Sequence, residues 1–171
     1  MMYRFLGGQD IPSALSGPLL VDELGLPRYW STVWTTLFLS NLEHSTQTQK
    51  LRFIELLYSF ADEMNGPGSL DDMLGNLDIV GLGQVLEAFF VSIRNRSLDF
   101  NSEQKWRTAL NFVSGILGWR SKGEIFSNTK FRRIQQKLNY LETLYSQLRI
   151  AKPRQSNFIR SLPANVLEAQ R

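Results

Sequence analysis

The sequence of 171 residues contains no cysteine and only one histidine, His44. Without cysteine there can be no disulfide, no thiolate metal site and no cysteine nucleophile, and nothing suggests an oxidising compartment. A single histidine excludes a metal site with several histidine ligands and leaves His44 as the one candidate for a Ser–His–Asp triad. No run approaches the ~20 apolar residues of a membrane span, and the N-terminus lacks a signal-peptide pattern. We therefore expect a cytoplasmic protein without membrane contact.

Catalytic and cofactor motifs are also missing. There is no P-loop pattern, and Gly81-Leu82-Gly83 alone is too little for a dinucleotide-binding loop. Helix capping and surface charge explain Asp71, Asp72 and Asp78 better than a metal site does. His44 comes just before a predicted helix, where a loop role is expected. We predict that this chain is not an enzyme by itself and that it takes no cofactor, metal or small-molecule ligand.

The charges are divided unevenly along the chain. Hydrophobic residues make up 43% of the sequence and aromatic residues 12%, which excludes a wholly disordered chain. Residues 1–100 contain six Lys and Arg against twelve Asp and Glu, a net of −6, whereas residues 101–160 contain twelve against three, a net of +9. This asymmetry favours a polyanionic partner such as nucleic acid. The alternative is a basic face that is simply solvated.

The apolar periodicity predicts a mainly α-helical protein, a small bundle of four to five helices with an N-terminal arm and a short extended or β-hairpin segment. We divide the chain into an arm and hairpin segment over 1–42, a helical DNA-binding bundle over 43–150, and a linker over 151–171. Glycine, proline and serine residues that interrupt regular structure predict a loose arm over 1–17. The β-branched and aromatic stretch Val33–Leu39 predicts extended structure. The predicted helices cover 46–64, about 70–75, 82–96, 102–118 and 128–148.

The last predicted helix contains a heptad seam. Its apolar residues are spaced 3-4-3-4-3, which is typical of a helix that packs along another helix. That partner could lie in the same chain or in a second protomer. The seam consists of Phe131, Ile134, Leu138, Leu141, Tyr145 and Leu148.

Three groups of polar residues have the chemistry of DNA contacts. Helix 102–118 presents Gln104, Arg107 and Asn111 on a polar face that has almost no acidic residues. These side chains can read base edges in a major groove. Helix 46–64 carries Glu55 and Asp62 farther along, so we predict that only its first turns approach phosphate, end-on.

The third group lies at the start of the last helix, where cations would supply affinity without sequence information. The predicted DNA-binding residues are Thr46, Thr48, Lys50, Arg52, Ser102, Gln104, Lys105, Arg107, Asn111, Arg120, Lys122, Lys130, Arg132, Arg133, Lys137, Lys152 and Arg154.

The order of these features resembles the N-terminal, core-type DNA-binding region of tyrosine recombinases, the phage-type integrases. The resemblance rests on Gly25–Trp30, the stretch 33–39, the helix after Ser45–Thr48, the segment Phe100–Leu110 and the connector-like Ile159–Ala169. It implies that helices 46–64 and 102–118 cross double-stranded DNA, and that catalysis belongs to a following domain. No residue here matches the family's catalytic set, so none is assigned.

The predicted function is therefore DNA binding within a site-specific recombinase of a mobile element. The alternative is a helical protein–protein interaction module that uses the seam at 131–148. The two hypotheses are compatible, because recombinases assemble as oligomers on DNA, and a homo-oligomer on DNA is a possible state. RNA binding is a weaker third option, since the sequence offers no evident platform of exposed rings for stacking.

Overall fold

The computed structural model describes residues 2–6, 16–96, 100–123 and 128–145. Two strands, β1 (Met2–Leu6) and β2 (Gly17–Val21), precede six helices in this part of the chain. The helices are α1 (Tyr29–Phe38), α2 (His44–Asn65), α3 (Ser69–Asn76), α4 (Ile79–Asn95), α5 (Phe100–Gly123) and α6 (Asn128–Tyr145). The mainly helical class predicted from periodicity is confirmed.

The two strands form an antiparallel pair in which Met2 lies opposite Val21 and Leu6 opposite Gly17. The predicted loose arm over 1–17 is therefore wrong for residues 2–6, because their backbone pairs with β2. Leu20 and Val21 of β2 are buried, and β2 packs on α1 and α2. The strand pair is thus attached to the helical core through β2.

Residues 33–39 are not extended, contrary to the prediction, and most of them lie in α1. The threonine hydroxyls that favour strands are bonded within the helix, with Thr35 Oγ1 donating to the Ser31 carbonyl at 2.8 Å and Thr36 Oγ1 to the Thr32 carbonyl at 2.9 Å. Helical spacing also brings Trp30 and Trp34 to one face, where both are buried. Packing of these two rings outweighs the weak β propensity of the segment.

The other helices lie close to their predicted positions. Ser45, Thr46 and Ser69 are residue types that often cap helices, but the N-caps of α2 and α3 are Glu43 and Gly68. Neither of these two caps makes a side-chain hydrogen bond. Asp78 does cap α4, accepting from the Gly81 N–H at 3.0 Å. The exact start of a helix depends on a few local contacts, so it is harder to predict than the helix itself.

One hydrophobic core joins all six helices and β2. Its fully buried members include Tyr58 of α2, Leu74 of α3, Leu86 of α4 and Trp106 of α5, and Leu141 brings α6 into the same cluster. Trp34 and Tyr58 both meet the ring of Phe112, at centroid distances of 5.4 and 5.9 Å. Helix α5 passes through this core and packs against α1, α2, α4 and α6. Its remaining face is the one available to a partner.

Candidate functional site

A polar groove with a volume of about 340 Å³ lies between α2 and α5. It is called the α2–α5 groove below. Its lining residues are Thr46, Gln49, Lys50 and Phe53 of α2, and Gln104, Arg107, Thr108 and Asn111 of α5. Both sets follow the spacing i, i+3, i+4, i+7, which places four side chains on one face of a helix. Because α2 and α5 pack against each other, the two faces form the two walls of one groove.

The α2–α5 groove carries positive charge and no negative charge among its eight lining residues. Its cations are Lys50 and Arg107, and neither makes an ion pair or side-chain hydrogen bond with another residue in the described part of the chain. The amides of Gln49, Gln104 and Asn111 can both donate and accept hydrogen bonds. The groove can therefore bind an anion and also make directional polar contacts.

Five of the seventeen residues predicted to bind DNA meet in this groove: Thr46, Lys50, Gln104, Arg107 and Asn111. They come from two helices that are far apart in the chain, and only the packing of α2 on α5 brings them together. The α2 residues lie along the side of the helix, so the geometry differs from the predicted end-on approach.

Three further lining residues, Gln49, Phe53 and Thr108, are not among the residues predicted to bind DNA. Thr108 is four residues after Gln104 and three before Asn111, so the same helical spacing could have identified it. Phe53 is apolar, so its residue type does not suggest a polar site, but it is half-buried and forms part of the wall.

Two predicted residues of α5 belong to a different place. Ser102 is 2% exposed, so it is not on a solvent-facing stripe. Ser102 and Lys105 line a second cavity of about 220 Å³ between α2, α4 and α5, together with Glu63 and Phe89. This cavity mixes apolar walls with charges of both signs.

Two predicted cations are engaged within the fold. The Arg120 guanidinium donates to the Gly75 carbonyl and lies over the ring of Trp30 at 5.5 Å. The Lys137 ammonium pairs with Glu87 and lies 5.0 Å from the ring of Tyr140. Both side chains therefore connect helices, which reduces their availability to a partner.

The remaining predicted residues are scattered. Thr48 donates to the His44 carbonyl at 2.8 Å within α2, and Arg52 is exposed outside the groove. Lys122, Arg132 and Arg133 are exposed on α5 and α6. The side chain of Lys130 and the whole of Lys152 and Arg154 lie outside the described residues.

Helix α6 packs on the side of α5 that is turned away from the groove. Val113 and Leu117 of α5 meet Leu138 and Leu141 of α6, and Val113 follows Gln104 by nine residues, about two and a half helical turns. The exposed cations of α6 are thus separate from the α2–α5 groove. Leu138 and Leu141 belong to the predicted heptad seam, and these two seam residues pack inside their own bundle.

A buried polar cluster, here called the Arg28 cluster, links α1, α2 and α3. The Arg28 guanidinium pairs with Asp62 and lies over the ring of Tyr58 at 5.1 Å. The Tyr58 hydroxyl donates to Asp71 Oδ1 at 2.6 Å, and the Trp30 indole N–H donates to the Asp71 carbonyl at 3.0 Å.

Burial perturbs both acids of the Arg28 cluster. Loss of water raises the pKa of the Asp71 carboxyl from its ordinary value, although hydrogen bonds from Tyr58 and the backbone N–H of Trp30 oppose the shift. Burial, with the nearby Asp71 charge, raises the pKa of Tyr58 well above its ordinary value. The contacts of the Arg28 cluster run between the start of α1, α2 and α3, so the cluster joins three helices.

The described residues contain no group of three or more His, Cys, Asp or Glu side chains placed to hold a metal ion. Among the described helices, none combines the length and the apolar character needed to cross a membrane.

Fold and site together define a small helical bundle with a cationic, amide-lined groove on one side. Comparison of the chain with protein-family models, curated proteins and solved structures found no match.

Proposed function

We propose that this chain binds DNA through the α2–α5 groove, in the manner of the DNA-binding N-terminal region of a tyrosine recombinase. The observation that carries the proposal is the meeting of Lys50 and Arg107, with three amide side chains and without any carboxylate, in one open groove. Cations confer affinity for phosphate, and Arg, Asn and Gln are the side chains best suited to base edges.

The two walls of the groove have different chemical roles in this proposal. Lys50 and Thr46 on α2 contact the phosphate backbone and set the position of the duplex. Gln104, Arg107 and Asn111 lie along α5 with about 10 Å between the first and last Cα, so this face follows about three base pairs of a major groove. The resemblance to recombinases implies a pair of helices at the DNA, and α2 and α5 are the two helices predicted for that role.

Charge reversal tests the proposal. Binding of a fluorescent 30-base-pair duplex of random sequence is followed by anisotropy at two or more salt concentrations. Arg107→Glu and Lys50→Glu should each weaken binding at least about tenfold. The slope of log K against log salt should become shallower by about 0.9 for each phosphate that is no longer neutralised.

The matched control is Arg94→Glu, which makes the same charge change at an exposed position in the last turn of α4. It should leave affinity within about twofold of the wild type. If Arg94→Glu weakens binding as much as Arg107→Glu, the protein binds through its overall charge rather than this groove. If the wild type does not bind at low salt, the proposal is wrong.

The recombinase role requires sequence selection as well as affinity. Repeated selection from a pool of random duplexes should enrich one motif, and Arg107→Ala should relax the preference at one position by about 1–3 kcal/mol. Enrichment of no motif would argue against a site-specific recombinase while leaving DNA binding intact.

A further inference from the structure

Two exposed aromatic rings lie in line with the α2–α5 groove. Trp119 of α5 is 47% exposed and Phe38 at the end of α1 is 44% exposed, although large aromatic side chains are usually buried. The other three tryptophans, Trp30, Trp34 and Trp106, are at most 7% exposed. The sequence contains four tryptophans, so Trp119 is the only one that is largely exposed.

Helical spacing connects these rings to the groove. Asn111, Gly115 and Trp119 follow each other at intervals of four residues, so they form one stripe along α5. Helix α1 covers this stripe at Gly115, where an added methyl group would be 3.5 Å from Trp34 Nε1 and 3.7 Å from two atoms of the Phe38 ring. The order along α5 is therefore the groove, the Phe38 ring and then the Trp119 ring.

The surface beside the rings is open and carries positive charge. A methyl group built on Gly118 would meet nothing within 4 Å, and Lys122 is exposed one turn beyond. From Arg107 to Trp119 the helix rises about 18 Å, which matches about five stacked nucleotides of one strand. Trp119 is supported from behind by Trp30, at a centroid distance of 6.5 Å and an angle of 65° between the rings.

We infer that the groove and these two rings form one track for single-stranded DNA, in which the cations of the groove hold the strand while Phe38 and Trp119 stack on unpaired bases. This inference rests on the proposed function and specifies the form of DNA that is preferred. Base pairs in a duplex have their faces covered by their neighbours, so only unpaired bases can use the two rings. Cations beside stacking rings are a combination by which proteins bind single-stranded nucleic acid.

The first test compares a 20-nucleotide oligo(dT) with a 20-base-pair duplex by fluorescence anisotropy. The wild type should bind the single strand more tightly. Trp119→Ala and Phe38→Ala should each weaken single-strand binding about 5- to 100-fold and change duplex binding less than twofold. Val91→Ala, at an apolar residue of α4 that is 51% exposed, is the matched control and should change neither.

The second test uses the fluorescence of Trp119. Oligo(dT) should quench the tryptophan emission of the wild type on binding, because only this indole is accessible to a base. Trp119→Phe should abolish the quenching while retaining binding within about threefold, since a phenyl ring also stacks. Urea unfolding of each variant identifies any loss of affinity that comes from loss of the fold.

The outcomes separate this inference from the proposed function. If duplex binds and Arg107→Glu abolishes that binding, but the ring variants have no effect on either probe, the stacking track is wrong and the groove proposal stands. If neither probe binds, both are wrong. Tighter binding of oligo(U) than of oligo(dT) would overturn the assignment to DNA.

Discussion

The Arg28 cluster and the α2–α5 groove both rest on arginine, but the two arginines are in opposite environments. Arg28 is 7% exposed and is paired with Asp62, whereas Arg107 is exposed and has no ion-pair partner among the described residues. A buried charge must be paired because its desolvation costs several kcal/mol. An exposed, unpaired charge makes almost no contribution to stability, and it is available to a ligand.

This difference predicts which substitutions affect folding and which affect binding. The free energy of unfolding, measured by urea denaturation, should therefore fall most in variants of the Arg28 cluster and least in variants of the groove.

Arg28→Met should have the largest effect, lowering the free energy of unfolding by about 3–5 kcal/mol. The substitution leaves the Asp62 carboxylate mostly buried without its counter-charge and removes the cation from the face of the Tyr58 ring. Adding Asp62→Asn should recover part of the loss, because an amide keeps an acceptor for the Gly68 N–H without the charge. Equal stability of the single and double variants would show that the charge pairing has no structural role.

Tyr58→Phe should lower the free energy of unfolding by about 2 kcal/mol, since it leaves the buried Asp71 carboxylate without its 2.6 Å hydroxyl donor. Tyr140→Phe is the matched control, because Tyr140 is 50% exposed. Removal of that hydroxyl should change stability by less than about 0.5 kcal/mol. Similar losses of stability in both variants would mean that the hydrogen bond from Tyr58 to Asp71 does not stabilise the fold.

Asp71→Asn should change the pH dependence of stability. Burial raises the pKa of Asp71 in the folded state above its ordinary value of 3.8, so the folded state holds this proton more tightly than the unfolded chain does. The resulting stabilisation is complete below about pH 3.8 and is lost as pH rises through the folded-state pKa.

The difference in free energy of unfolding, wild type minus Asp71→Asn, should therefore fall as the pH is raised from about 4 to 7. The amide variant provides the reference because it keeps an oxygen acceptor and cannot ionise. Parallel curves for the two proteins would mean that Asp71 is not perturbed in the folded state.

Lys50→Gln and Arg107→Gln should have the smallest effect on folding, less than about 0.5 kcal/mol each. Lys137→Gln should have an intermediate effect and lower the free energy of unfolding by up to about 1 kcal/mol. Its ion pair with Glu87 is roughly one-third exposed, so water screens it. A loss above about 2 kcal/mol at Lys50 or Arg107 would show that the groove residues serve stability rather than binding.

Helices α2 to α5 could be predicted from apolar periodicity because each has a buried stripe at helical spacing, and Leu138 and Leu141 of α6 pack against the same core. Ile54, Leu57 and Ala61 in α2, and Trp106, Val113 and Leu117 in α5, are all buried as the pattern requires. Helix α1 could not be predicted in this way. Its β-branched residues favour a strand locally, and its helical form depends on the burial of Trp30 and Trp34 against α3 and α5.

The candidate site was predictable in part for a similar reason. Gln104, Arg107 and Asn111 are on one helix, so their common face follows from spacing alone. The engagement of Arg120 with Gly75 and of Lys137 with Glu87 depends on partners 45 and 50 residues away. Charge patterns along the chain do not contain that information, so these two cations were grouped with the unpaired ones.

The helical class, the approximate extent of α2 to α6 and the chemistry of their polar faces follow from the amino-acid sequence, because these depend on residues within a few turns of one another. The tertiary structure alone decided that residues 29–38 form a helix, that Ser102 is buried, and that Lys50 and Arg107 line one groove. Each of these depends on contacts between residues far apart in the chain, where packing and desolvation outweigh local preference.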